Sequence, residues 1–385
     1  MSLEKNTSYI HEKLREREEN RRLRSLLTFD FTSSPVAVQI EEKHYINFSS
    51  NDYLGLSKHP QLKNAAAQAA SQKGTSSTAS RLITGSYSLL DTLEIELAQF
   101  TGRESALVFN SGYQANATLL KALAGRNSCI LMDKLAHNSL LNGGLASRAK
   151  LLRFRHNDMS HLEELLEKYQ NEYETVWIVV ESVYSMDGDM APIETLTSLA
   201  EKHGAFTYVD EAHSLGIYGP NGSGKSCNYE KIDILLGTFG KAFGSFGAFV
   251  ACSRVMRKYL INFCEGFIYT TALPPATTAA TLQALKLMPD LDKRRKKLLE
   301  NVAFLNELLS RKGADTGRSQ SQIVPVITGT EEQTLHISKK AGKAGFIATA
   351  IRPPTVPANA CRIRVTLSSE HTNAQIEKFS DLITD

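Results

Sequence analysis

Seven short apolar runs, interleaved with amphipathic stretches, constrain the fold of this chain more than any other feature. The runs are 106–109, 129–132, 150–154, 177–180, 206–209, 232–236 and 248–251, each short enough for one buried strand. Residues 89–100, 115–124, 159–169 and 193–203 instead repeat their apolar residues at helical spacing. Strands alternating with helices predict a mostly parallel sheet covered on both faces, because each parallel crossover must run back over the sheet.

The flanks have a different character. Residues 11–27 are densely charged and predict a solvated helical arm, with Leu14, Leu23, Leu26 and Leu27 as its few apolar contacts. A short extended region follows and includes 44–48. Beyond Pro289 a long helix is predicted over 290–312, with the basic cluster 293–297 as its solvated face. Strands are predicted at 323–327, 347–351 and 362–367, with a helix near 335–344. The expected division is an N-terminal arm with short strands (1–48), a large α/β domain (49–285) and a smaller α+β C-terminal domain (286–385). A chain of 385 residues is long enough for this without disulfides or metals.

Charge and cysteine usage narrow the function classes. Lys plus Arg is 44 and Asp plus Glu is 41, a net charge of +3. That is no footprint for nucleic acid or for a membrane surface. The five cysteines are widely spaced with no C-x-x-C pair, which predicts free thiols and no cysteine metal site. The N-terminal residues are polar and charged, unlike a secretory signal, and nowhere do 18 apolar residues run together. A cytoplasmic protein is expected.

Two motifs invite a nucleotide-hydrolase reading. Gly219 to Ser226 spells G-x-x-x-x-G-K-S, and Asp210-Glu211-Ala212-His213 spells a helicase box. A phosphate loop needs a buried strand leading in and a helix leading out, so that backbone amides and the helix N-terminus hold the phosphates. Here a glycine-broken stretch leads in and Cys227-Asn228-Tyr229-Glu230 leads out. A P-loop ATPase is therefore the weaker reading, and a glycine-rich surface loop the stronger.

A second constellation carries more chemistry. Asp210 ends the run 206–209, and His213 follows three residues later. The run 232–236 leads into Thr238-Phe239-Gly240-Lys241-Ala242-Phe243-Gly244. A lysine among small and aromatic residues at a strand end can lose its proton and act as an amine nucleophile. A strand-end aspartate suits a pyridinium nitrogen, and the Ser111-Gly112-Tyr113 turn entering a helix suits a phosphate. Together these point to pyridoxal 5′-phosphate (PLP).

At this level of detail the chain resembles the α-oxoamine synthases, PLP-dependent enzymes with the aspartate-aminotransferase type of fold. The likeness covers nearly the whole chain: NFSSNDYLGLSKHP (47–60), the SGY turn, SMDGD (185–189), VDEAHSLG (209–216), TFGKAFG (238–244), YTTALPP (269–275) and RIRVTLSSEHT (362–372). The segment TAIRPPTVP (349–357) is similar to the branch that makes 8-amino-7-oxononanoate for biotin synthesis. The resemblance implies that Lys241 carries PLP and later moves protons, that Asp210 faces the ring nitrogen, and that His137 stacks on the ring. It implies that His213 and Ser185 meet the ring hydroxyl, that Gly112, Tyr113 and Thr238 lie at the phosphate, and that Thr270 or Thr271 reaches the phosphate of a second subunit. Arg364 would take the amino-acid carboxylate, and Arg24, Asn51, Arg352 and Thr355 would meet substrates.

The implied reaction is a decarboxylative condensation of L-alanine with a pimeloyl thioester, on coenzyme A or acyl carrier protein, in a homodimer. A sibling enzyme using glycine or serine with another acyl thioester is the nearest alternative. A PLP-binding regulator is a further one, though no DNA-binding module is evident. One segment departs from the family. The loop 74–81, Gly-Thr-Ser-Ser-Thr-Ala-Ser-Arg, has hydroxyl side chains where glycines are common, which bears on the acyl donor.

Overall fold

Period-two burial builds the central sheet. Its strands in chain order are β1 (Ser105–Phe109), β2 (Ser128–Asp133), β3 (Lys150–Phe154), β4 (Thr175–Glu181), β5 (Phe206–Asp210), β6 (Ile234–Thr238) and β7 (Ala248–Cys252). Along β4, Val176, Ile178 and Val180 pack into one apolar cluster while Trp177 and Val179 pack into another on the opposite face. A strand buried on both faces is the expected consequence of helices on both sides. The computed structural model describes residues 2–20 and 22–384.

The sheet order is β1-β7-β6-β5-β4-β2-β3. Strands β2 to β6 pair in parallel, as the alternation predicts. β7 is the exception and runs antiparallel to both β6 and β1. The reason lies in the connection. Only residues 239–247 join β6 to β7, too few for a crossover helix, so the chain folds straight back. That short return carries Lys241. It is fastened by Phe239 N–H to Gly247 C=O (2.9 Å) and by Gly244 N–H to Lys241 C=O (2.9 Å). Gly244 has φ +60°, and a Cβ there would lie 2.3 Å from the Ser57 nitrogen. Only glycine lets the Lys241 loop sit this close to residues 56–57.

The helices follow their apolar spacing. Ser88–Thr101 buries Leu90, Leu93 and Leu97. Gly112–Leu123 buries Ala115, Leu119 and Leu120, and it also buries the polar Asn116. Met159–Tyr169 and Ile193–Lys202 fall where the periodicity puts them. At the C-terminal end, Ile323–Gly329, Cys361–Thr366 and Thr349–Ile351 form a separate antiparallel sheet. The helices Asp292–Arg311, Glu331–Lys343 and Asn373–Thr384 belong to this half.

Four expectations need correction. The N-terminal helix spans Ser2–Glu19 rather than 11–27, and Leu23, Leu26 and Leu27 lie beyond it, exposed. Arg21, inside the expected helix, lies outside the described residues. A charged stretch with so few apolar side chains has no tertiary face to fix where it ends. The run 347–351 is not one strand. Phe346–Ile347 pairs in parallel with Lys43–Asn47, and Thr349–Ile351 pairs with Cys361–Thr366. The N-terminal strands thus share a sheet with the C-terminal half. The run 232–236 becomes a strand only from Ile234. Finally, the basic cluster 293–297 is not uniformly solvated. Arg295 is buried and donates to the carbonyl of Met288 (2.9 Å) and to Asp292 (2.6 Å). Arg294 bridges the Leu54 carbonyl and Glu370. Their long stems cover apolar surface while each head finds a partner.

Candidate active site

The carboxyl ends of β4, β5 and β6 bring Glu181, Asp210 and Thr238 to one edge of the sheet. The β6–β7 return lays Lys241 over that edge. A cavity of about 280 Å³ opens there, lined by Lys241, Asp210, His213, His137, Thr238 and Gly112 among others. Ligands of open α/β sheets gather at this edge.

Lys241 Nζ lies 2.9 Å from His213 Nε2, and His213 Nδ1 lies 2.7 Å from the Tyr53 hydroxyl. Burial pushes the Lys241 amine down to about 8, against the opposing charges of Asp210 and Glu181. Burial also holds His213 well below the usual imidazole range, assisted by Lys241 and Arg364. Asp210 is buried and accepts from Asn116 Nδ2 (2.8 Å) and from the Ala212 N–H (2.9 Å). Asn116 is itself fixed by the Tyr208 hydroxyl (2.7 Å) and by Ser139 (2.9 Å). Asp210 is thus aimed by a buried polar network and cannot swing away.

His137 caps the helix Asn138–Ala146, accepting from the Ser139 N–H (3.2 Å), and its ring is open to solvent at the cavity. At the other end Ser111 caps Gly112–Leu123, accepting from Gln114 N–H (3.1 Å). The first amides of that helix have no intrahelical acceptor, as at any helix start, and the dipole there favours an anion. A Cβ on Gly112 would meet Thr238 Cγ2 at 2.6 Å, so the helix start and the end of β6 approach as closely as glycine allows. Thr238 Oγ1 is buried and has no partner among the described residues.

An orphaned hydroxyl beside a helix N-terminus is suited to a phosphate. An aimed aspartate and a lysine that loses its proton near neutrality suit a pyridinium ring and its aldehyde. The residues present therefore fit PLP.

Arg364 is buried beside this cavity. Its Nε donates to the Ser185 carbonyl (2.6 Å), and both terminal nitrogens lie 3.3 Å from Asn51 Oδ1. Asn51 lines the cavity. Other expected residues are placed elsewhere in the single chain. Arg24 and Thr355 are exposed, and Arg352 faces Glu331 at 3.6 Å. Asn110 Nδ2 donates to Thr270 Oγ1 (3.0 Å) and to the Thr271 carbonyl (2.7 Å). None of these five residues lines the cavity.

The sequence reading passed over Tyr53, Asn116 and Glu181. Two signals were available. Glu181 ends an apolar strand just as Asp210 does, and Asn116 is a polar residue on the buried face of an amphipathic helix. Burial pushes the Glu181 carboxyl well up, and the nearby Asp210 charge adds to this.

The P-loop letters have a structural explanation. The Lys225 and Ser226 amides donate to Glu211 Oε2 (3.1 Å) and Oε1 (2.7 Å), and Ser182 Oγ donates to the same carboxylate (2.7 Å). Glu211 is fully buried. Amides that would hold a phosphate already hold a glutamate, and no helix follows the loop. This geometry overturns the nucleotide-hydrolase alternative.

Comparison with known proteins bears on the family and the cofactor. The class I and II aminotransferase family matches residues 43–383. An 8-amino-7-oxononanoate synthase of Gluconacetobacter diazotrophicus is 42% identical over 374 residues, covering 95% of this chain and 94% of that protein. A Desulfosudis oleivorans protein that bears the same name provisionally is 46% identical over 374 residues, covering 97% of each. Among solved structures, a serine palmitoyltransferase of S. paucimobilis with a bound PLP–myriocin aldimine superposes with a TM-score of 0.91 at 29% identity, covering 99% of this chain and 97% of that one. An 8-amino-7-oxononanoate synthase of Francisella tularensis gives 0.76 at 30% identity, covering 88% and 97%. This chain belongs to the class I and II aminotransferase family and, within it, to the PLP-dependent α-oxoamine synthases.

Proposed function

We propose that this enzyme condenses L-alanine with a pimeloyl thioester, on coenzyme A or acyl carrier protein, to give 8-amino-7-oxononanoate, carbon dioxide and the free thiol. The observation that carries the reading is the convergence of Lys241, Asp210 and Asn51 on one strand-edge cavity, with Arg364 bonded to Asn51 beside it. A carboxylate-binding arginine beside a reactive lysine is what an amino-acid substrate needs. Names of relatives at 42–46% identity support the choice of alanine and the pimeloyl chain.

Bound PLP supplies an electron sink for negative charge at the substrate Cα. Lys241 carries the cofactor and afterwards shuttles the Cα proton. Asp210 keeps the ring nitrogen protonated, Ser185 and His213 hold the ring hydroxyl, and His137 covers the ring face. Gly112, Tyr113 and Thr238 receive the phosphate. Arg364 takes the alanine carboxylate, and Arg24, Asn51, Arg352 and Thr355 meet the remaining substrate groups.

The active form is a homodimer in which Thr270 or Thr271 serves the partner's phosphate. Exposed Leu82, Ile83, Phe246 and Tyr269 support a partner surface there. All five cysteines are free thiols, which supports a cytoplasmic location. Among the described residues no helix is long and apolar enough to cross a membrane.

The test is to supply alanine with pimeloyl-coenzyme A, and separately with pimeloyl-acyl carrier protein, and to measure 8-amino-7-oxononanoate. Glycine and serine in place of alanine provide the comparison. A second reading, a serine-dependent synthase with a longer acyl chain, draws on the serine palmitoyltransferase likeness and on the hydroxyl-rich 74–81 loop. Faster product formation from serine than from alanine would establish that reading instead.

A further inference from the structure

We propose that Tyr53 is a positioning residue that locks His213 in its Nδ1–H tautomer and so keeps the Nε2 lone pair on Lys241. The inference rests on Lys241 as the cofactor-bearing lysine. It begins with three contacts. Lys241 Nζ is 2.9 Å from His213 Nε2, His213 Nδ1 is 2.7 Å from Tyr53 Oη, and Tyr53 Oη is 3.1 Å from Asn51 Oδ1.

Donor and acceptor chemistry orders this chain. A lysine ammonium has no lone pair, so it must donate and Nε2 must accept. A neutral imidazole that accepts at Nε2 carries its hydrogen on Nδ1. Tyr53 Oη then accepts from Nδ1–H, and its own hydrogen goes to Asn51 Oδ1. That amide oxygen also receives both terminal nitrogens of Arg364. It has no hydrogen to return, so the chain runs one way from Lys241 to Asn51.

Tyr53 is enclosed, with Gln322 and Arg364 as its other polar neighbours. Its side chain is fully buried, and His213 is buried beside it. Burial, Lys241 and Arg364 all oppose a charge on the ring, so His213 stays neutral with a single hydrogen to place. A buried N–H left without an acceptor is costly. In Tyr53→Phe the favoured relief is to move the ring hydrogen to Nε2. Lys241 then faces an N–H instead of a lone pair, which disfavours its ammonium form. Of the other charged groups acting on Lys241, Asp210 and Glu181 are untouched by the substitution, while Arg364 loses its own contact with the Tyr53 hydroxyl.

The test uses the full-length protein before PLP is added. Nitrogen-15 NMR of labelled histidine, with His213 assigned by comparison with His213→Asn, reads the tautomer directly. In the wild type near pH 7 the His213 signals should report a protonated Nδ1 and a bare Nε2. In Tyr53→Phe the two should exchange character, and the pH dependence of PLP capture by Lys241 should shift to lower pH. A wild-type His213 protonated at Nε2 overturns the proposal whether or not the variant folds. An unchanged tautomer in a folded Tyr53→Phe, with only a lower melting temperature, also overturns it by reducing Tyr53 to a packing residue. Both readouts need no acyl donor, so a failure of the alanine–pimeloyl reading leaves them intact.

Discussion

His213 and His156 lie at the same edge of the same sheet, yet their neighbours leave one neutral and the other charged. His156 follows β3 and sits between two buried carboxylates, with Nδ1 2.9 Å from Asp133 and Nε2 2.6 Å from Asp189. Burial alone would lower its pKa, but hydrogen bonds and charge from both aspartates raise it to about 10. His213 follows β5 and faces Lys241 and Arg364, and it is held neutral. His213 is buried and His156 half-buried, so desolvation opposes a charge on both rings. The sign of the nearest charges decides which ring becomes a fixed cation that fastens loops and which stays a neutral partner for a reactive amine. Asp189 belongs to the SMDGD segment, so part of that motif serves the fastening rather than the chemistry.

The sharpest way to break this comparison is to remove one member from each region. Lys241→Ala should abolish turnover and covalent attachment of PLP while leaving the unfolding midpoint nearly unchanged. Detectable condensation by that variant would remove Lys241 from the mechanism. His156→Ala should do the reverse. Stranding two buried carboxylates should cost about 3–5 kcal/mol in urea denaturation. The His156 pair has a directional pH signature as well. Its folded pKa lies above the unfolded value, so its contribution is complete below about 6.5 and is lost as pH rises through about 10. A wild type whose stability is no more alkali-sensitive than that of His156→Ala would contradict the assignment.

A smaller effect separates the two regions by pH. The free-amine fraction of Lys241 grows as pH rises toward and past about 8, so the rate of PLP capture should climb and then level off above that value. Stopped-flow absorbance measures it, and a rate still climbing near pH 10 would mean an unperturbed lysine. The smallest effect is expected at Lys225. Its backbone amide, not its side chain, holds Glu211. Lys225→Ala should alter stability by less than about 0.5 kcal/mol and leave condensation intact. A loss of Mg-dependent nucleotide binding in that variant would revive the hydrolase reading.

Much of this was legible in the residues. The alternation of apolar runs fixed the parallel core, because strand and helix periods are local properties. Asp210 and Lys241 stood out because both end or follow buried strands with ligand-facing geometry. The antiparallel β7 was not foreseen, although the nine-residue link before it is visible as a length. Tyr53 and Asn116 escaped for a different reason. Their partners lie 160 and 94 residues away; the polar residue on a buried helix face marks Asn116 as unusual, but no local pattern names the partner of either residue. The N-terminal helix boundary was misplaced because exposed charge leaves nothing for packing to specify. The P-loop letters were discounted from their flanking residues, but the loop was expected at the surface, and Ser223 and Ser226 are instead buried, with the Ser226 amide on Glu211.

The central claim is that PLP joins this chain at Lys241, in the cavity where Asp210 and His213 converge. Borohydride reduction of the PLP-loaded, full-length protein, followed by peptide mass spectrometry, tests it most directly. The account predicts a single phosphopyridoxyl group on the peptide containing Lys241. A label on Lys225 or another lysine, or a protein that takes up no PLP, would contradict it.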